Sequence, residues 1–189
     1  DLGSHKGGTW KMKSILLSIK PEWTAKILNG EKTIEIRKKF PKDYVGWVYI
    51  YCTKAKPYLI RKWTRDLAFW QEKDINVEDT LNGKVVARFY CENVEDIRIS
   101  KIVFGVGYQY KTKSLCFKEL LEKSCLTEIE IGKYLDTKIG YAIHITKLEI
   151  FDKPRNLWEF VLYDENHLSI GNCIIGFGNG SCKRLAKAP

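Results

Sequence analysis

The stretch LNGEKTIEIR, Leu28–Arg37, changes its period halfway along. Upstream of it, Pro21 opens a run in which Trp23, Ile27 and Leu28 recur at helical spacing. Proline is tolerated at a first helical position because the N–H it lacks would have no partner there, so a helix is expected from Pro21 to Asn29. Gly30 suits the left-handed residue that commonly follows a helix end. Downstream, KTIEIR alternates: Ile34 and Ile36 face one way while Thr33, Glu35 and Arg37 face the other, as on a half-buried strand. A glycine stop therefore throws Lys32, Glu35 and Arg37 onto one shared wall.

Working outward, KSILLSI at 13–19 is a compact apolar run suited to a buried strand. VGWVYIYCTK at 45–54 is rich in β-branched and aromatic residues and is also expected to be a strand, ended before Pro57. Leu59, Trp63, Leu67 and Trp70 fall at i, i+4, i+8 and i+11, which predicts a helical insertion near 57–75 with an apolar stripe facing the core. Asn82-Gly83 turns into the strand KVVARFYCENV. VFGVGYQY at 103–110 is aromatic-rich, with glycines that permit bends. Ser114 is a candidate cap for a helix over CFKELLEK, and Thr127-Glu-Ile-Glu130 has capping-box spacing for a second short helix running toward Leu135. GYAIHITKLEIF at 140–151 reads as a regular strand halted by Asp152-Lys-Pro154. The order lacks βαβ repetition, so an α+β domain around a curled sheet or small barrel is expected rather than a doubly wound fold.

The chain has 189 residues, 44% of them hydrophobic, which suits one globular domain over 12–189. Residues 1–11, with Gly-Ser-His, read as an expression-tag remnant before Met12. Lysine and arginine total 32 against 23 acidic residues, a net charge of +9 that makes polyanions the natural partners and nucleic acid the leading class. Lys6 and Lys11 fall in the remnant and do not count toward that case. The six cysteines form no CxxC pair and are read as reduced thiols of a cytoplasmic protein. No apolar run approaches the ~20 residues needed to span a bilayer, and no membrane partner is expected. Cys173, Cys182 and His167 match no ligand spacing, so no metal and no cofactor are expected. GFGNG near the end is read as a turn.

The segment SIKPEWTAKILNGEKTIEIR, Ser18 to Arg37, resembles the ASCH domain family of the PUA-like superfamily, whose signature is a helix ending in glycine followed by GxKxxExR: here Gly30, Lys32, Glu35 and Arg37. GKVVARFYCENV resembles the family's next core strand, and GYAIHITKLEIFDKPRNLWEF the strand and turn of ASCH proteins common in Gram-positive bacteria and their phages. The resemblance implies an α+β, PUA-like small mixed β-barrel with flanking helices, and a cleft beside the signature where RNA or modified nucleotides are engaged. Relatives often carry a closing strand beyond the position of Pro189, so the barrel here is expected to lack that seal.

Two chemistries compete for that cleft. As a binding module for RNA or single-stranded nucleic acid, or for a modified nucleoside, Lys20, Lys32, Arg37, Lys38 and Lys39 would supply an electrostatic groove and Trp23 a stacking face. As an enzyme, an amidohydrolase on acetylcytidine-type nucleosides or a ribonuclease, the chain would use Lys32 and Glu35. The amidohydrolases of the family use a lysine at the place of Lys32, a threonine three residues on, where Glu35 stands here, and a distant glutamate, for which Glu92 and Glu95 are candidates. Such a lysine needs a depressed pKa, from burial or a nearby cation. The plain alternative is a solvated Glu35–Arg37 pair and a solubilising Lys32. His144, alternating with Thr146, is read as an ordinary strand histidine. A third class, an adaptor for other proteins, would call for an exposed aromatic patch around Trp63 and Trp70.

Overall fold

The computed structural model describes residues 14–61, 68–71, 80–101, 108–136, 139–163 and 183–186. The first strand, β1 (Ser14–Ile19), runs through the extended Lys20 into α1 (Pro21–Leu28), with Pro21 in the first turn as the sequence predicts. The helix ends where glycine allows it to: Gly30 has φ +76°, and the amides of Glu31 and Lys32 both turn back to the Lys26 carbonyl, at 2.9 and 3.0 Å. The chain then enters β2 (Ile34–Arg37) and, after a connection through Phe40 and Tyr44, β3 (Gly46–Cys52).

Two short strands follow, β4 (Tyr58–Arg61) and β5 (Ala68–Gln71), paired antiparallel with Leu59 opposite Trp70. They stand where a helix over 57–75 was expected. A helix would set Leu59 and Trp70 on one face about three turns apart, whereas the hairpin pairs them directly, a difference that apolar spacing does not report; Trp63 and Leu67 lie outside the described residues. Beyond Asn82-Gly83 comes the long β6 (Lys84–Lys101), then β7 (Tyr108–Lys111), α2 (Phe117–Ser124), α3 (Glu128–Leu135), β8 (Gly140–Asn156), a 3-10 turn at Leu157–Glu159, β9 (Val161–Tyr163) and β10 (Lys183–Ala186).

The fold is α+β. Its main sheet runs β2-β8-β6-β3-β1-β10-β9, with β7 added on β6; β1 and β3 are parallel and the other pairs antiparallel. Among the described residues no pairing joins β2 to β9, so the sheet curls without closing into the expected barrel. The α2–α3 pair covers the β2 edge, where the Thr33 amide donates to the Lys123 carbonyl at 2.9 Å.

The curl comes from bulges in β6 and β8. Val85 lies opposite Arg155 but Ala87 opposite Ile150, so four residues of β8 face the single Val86. Pro154 falls within that excess, where its missing N–H costs no ladder bond, and β8 therefore continues through Asp152-Lys-Pro154 instead of stopping there.

Three apolar clusters hold the layers together. The largest joins α1 to β1, β3 and β6 through Ile27, Ile15, Ile50 and Phe89, all fully buried. A second packs Leu120 of α2 and Ile131 and Leu135 of α3 against Ile34, Ile36 and Ile97. A third gathers Leu16, Tyr51 and Val85 on the outer face of the sheet. Each such fully buried aliphatic side chain contributes about 1.5–3 kcal/mol. The capping box at Thr127 and Glu130 forms as its spacing predicts, but α2 is capped by Cys116 rather than Ser114. Ser114 is engaged elsewhere, by Glu95.

Candidate functional site

The signature residues meet at the β2 edge, between α1 and α3, beside a cleft of about 250 Å³. Lys32 leaves the glycine turn and points inward, only 2% exposed. Its Nζ donates to the Ser124 carbonyl at 2.6 Å, lies 3.4 Å from Glu35 Oε2, and sits 5.3 Å from the centre of the Trp23 ring. Burial pushes the Lys32 pKa below its ordinary 10.5, with the attraction of Glu35 working the other way. The buried Lys32 and Glu35 exclude the plain solvated pair as a description of this wall.

Glu35 is buried, and its other oxygen lies 3.1 Å from Arg37 Nε. That contact is an ion pair and not an aligned hydrogen bond, since the buried Nε has no hydrogen-bond acceptor. The Arg37 Nη2 donates instead to the Ser18 carbonyl of β1 at 2.8 Å. One carboxylate thus stands between two cations, each of which also holds a backbone carbonyl. The arrangement keeps all three heads in fixed places, with Lys32, Glu35 and Arg37 all lining the cleft.

Lys20, at the start of α1, and Trp23, half-buried within it, complete the near wall. Lys26 lies 5.3 Å from the same Trp23 ring. Lys38 lines no part of the cleft but lies 5.2 Å from the Tyr134 ring, and Lys39 is exposed beyond it. The lining holds three cations, Lys20, Lys32 and Arg37, against two carboxylates, Glu35 and Glu130, so the cleft is only mildly basic.

The far wall was not legible in the sequence. Tyr134, Glu130 and Leu126 come from α3 and its approach, about a hundred residues from the signature, and Ser124 supplies the carbonyl that Lys32 binds. Burial pushes the Tyr134 phenol above its ordinary range, with Arg37 pulling the other way. The capping box announced α3, but no local pattern says what a helix will face.

The two glutamates considered as distant acids do not line the cleft. Glu92 is exposed and 3.5 Å from Lys147; Glu95 is buried, hydrogen-bonded to Ser114 and 2.8 Å from His144. His144, read as an ordinary strand histidine, is tied to that carboxylate.

Of the cysteines, Cys52, Cys91, Cys116 and Cys125 are free thiols, and burial pushes Cys52 and Cys91 up to about 12. Among the described residues no three His, Cys, Asp or Glu side chains gather as a metal site. No helix among them is long and apolar enough to cross a membrane. His167, Cys173, Cys182 and the GFGNG stretch lie outside the described residues.

No protein-family model matches the chain, and no curated protein matches it. Among solved structures it is similar to ASCH from Zymomonas mobilis, at 17% identity over 77% of this chain and 75% of that one, with a TM-score of 0.46. It is similar also to two point mutants of that protein, both at 17% identity, with TM-scores of 0.44 and 0.45 and 76% of each mutant chain covered. These structures bear the family name that the GxKxxExR motif suggested. The Gram-positive and phage type remains an expectation, and the chemistry of the cleft is carried by its own geometry.

Proposed function

We propose that this cleft binds RNA or a modified nucleotide, taking one nucleoside at a time. The observation that carries the reading is the convergence of Lys32, Glu35 and Arg37 with Trp23 and Tyr134 around one small hollow. A volume of about 250 Å³ lies at the lower end of small-molecule sites and suits a single base and sugar better than a strand. Glu35 accepts from a base edge, Lys32 and Arg37 donate to its carbonyl oxygens, and an aromatic face gives sequence-tolerant stacking. The flanking Lys26, Lys38 and Lys39 supply attraction for a backbone that continues outside.

The test is titration of single-stranded RNA and of cytidine and acetylcytidine, followed by calorimetry, against Lys32→Ala and Arg37→Ala. Binding that weakens in both variants, with a shallow salt dependence of one or two phosphate contacts, fits the reading. Wild-type protein that binds none of the three sinks it.

A second reading is favoured by one observation, the buried Lys32 with its lowered pKa. In its neutral form this amine would take a proton from a water attacking an acyl carbon and return it to the departing cytosine amine, leaving acetate. Acetate release from acetylcytidine that disappears in Lys32→Ala, with a rate rising toward alkaline pH, would move the conclusion to an amidohydrolase. The adaptor reading has no support of this kind: Trp63 and the Trp70 side chain lie outside what is described.

A further inference from the structure

Glu95 is 3% exposed, on the face of β8 opposite to the one that carries Glu35, since Glu95 pairs with Ala142 and Glu35 with Ile143. It accepts from the Ser114 amide at 2.9 Å and the Ser114 hydroxyl at 2.7 Å. Its Oε1 also lies 2.8 Å from His144 Nε2 and 3.4 Å from Asn93 Nδ2. These partners are internal and satisfy the carboxylate, which argues for a part in holding the structure rather than in meeting a ligand.

What Glu95 holds is the segment leading into α2. Two residues separate Ser114 from the first residue of that helix, and α2 is a rod of eight residues, about 12 Å long. Its far end meets the signature turn at three points: the Ser124 carbonyl on Lys32 Nζ at 2.6 Å, the Lys123 carbonyl on the Thr33 amide at 2.9 Å, and the Cys125 thiol on the Glu31 carbonyl at 3.4 Å.

Between the ends, Leu120 is buried against Ile34 and Ile36. Apolar burial fixes the depth of a helix but is non-directional and leaves sliding along the axis cheap. Charge-assisted hydrogen bonds are directional and fix that coordinate.

We propose that Glu95 is a positioning residue for the cleft, acting through Ser114 and α2 to hold the Ser124 carbonyl against Lys32. The inference concerns how the cleft is built and stands whatever ligand it takes. The groups facing the Lys32 ammonium are Glu35, Arg37, Cys125 and the Trp23 ring. Loosening α2 admits water to that enclosure and relieves the burial that depresses Lys32.

The experiment is an NMR titration of the full chain with lysine labelled at Cε, the Lys32 signal assigned by its loss in Lys32→Met. Glu95→Ala raises the Lys32 midpoint toward 10.5, Ser114→Ala raises it less, and Glu95→Gln, which keeps an acceptor for Ser114, leaves it near wild type. Val85→Ala, which thins the outer apolar cluster, serves as the control for general destabilisation and leaves the midpoint unmoved. A folded Glu95→Ala with an unchanged midpoint overturns the proposal, as does a rise of equal size in Val85→Ala. Should Glu95→Ala fail to fold, Ser114→Ala decides, and no rise there overturns it. The readout needs no ligand, so failure here leaves the nucleotide reading standing, and absence of nucleotide binding leaves this one standing.

Discussion

Glu35 and Glu95 are both carboxylates buried in the same curled sheet, on opposite faces of it, and they are held in opposite ways. Glu35 stands between two cations beside an open cleft, whereas Glu95 is surrounded by a serine, a histidine and an asparagine and lines no part of that cleft. A carboxylate neutralised by two cations beside a cleft can exchange a partner for a ligand group, because the charge balance survives the exchange. One held by the amide and hydroxyl of Ser114, with no lysine or arginine among the described residues against it, has no such exchange to make. Burial alone therefore does not mark a functional acid; the kind of partner does.

Removing Glu35 should break the comparison most severely. Glu35→Ala leaves the buried Lys32 and the partly buried Arg37 without their counter-charge, a loss of about 3–5 kcal/mol in urea unfolding at neutral pH, and it drives the Lys32 pKa lower still. A loss comparable to that of an exposed ion pair would mean that water reaches this site freely.

Glu95→Ala should cost less, about 1–3 kcal/mol, because it leaves the Ser114 donors unpaired instead of two cations. Its pH signature differs too. Burial raises the Glu95 pKa, but the Ser114 hydroxyl, the Ser114 amide and His144 outweigh it and hold the group below the usual 4.5. Its contribution is thus full above 4.5 and is lost as pH falls through the lower folded value. Acid unfolding curves should show that loss in the wild type and not in Glu95→Gln.

Trp23→Ala sharpens the functional side of the contrast. Ligand affinity should fall by about 1–3 kcal/mol if a base stacks on this ring, with a smaller change in stability, read by calorimetric titration and urea unfolding together. At the small end, Lys42→Ala removes an exposed pair with Asp96, 2.8 Å apart, and should leave the urea midpoint unchanged, as surface pairs usually do.

Much of the near wall was legible because its causes are local. Pro21 opening α1, Gly30 at positive φ and the alternation of Thr33 to Arg37 are each set by a residue and its immediate neighbours. The same holds for the capping box at Thr127. Where long-range partners compete, local reading misplaces features. Ser114 has the chemistry of a cap, yet a carboxylate nineteen residues away takes its hydroxyl, and Cys116 caps α2 instead. The spacing of Leu59, Trp63, Leu67 and Trp70 fits a helix, yet pairing across β4 and β5 makes strands of its two ends. Pro154 looks like a terminator, and a bulge absorbs it.

By itself the sequence determined that a cation, an acid and a guanidinium follow a glycine-stopped helix, since helix termination and strand alternation act within a few residues. Only the tertiary structure decided that Lys32 and Glu35 are buried, that the Ser124 carbonyl reaches Lys32 across ninety-two positions, and that Tyr134 closes the far wall. Burial is a property of what packs around a residue, and the helices that pack here arrive from a distant part of the chain. Desolvation, the force that changes Lys32 most, is therefore written in the fold and not in the motif.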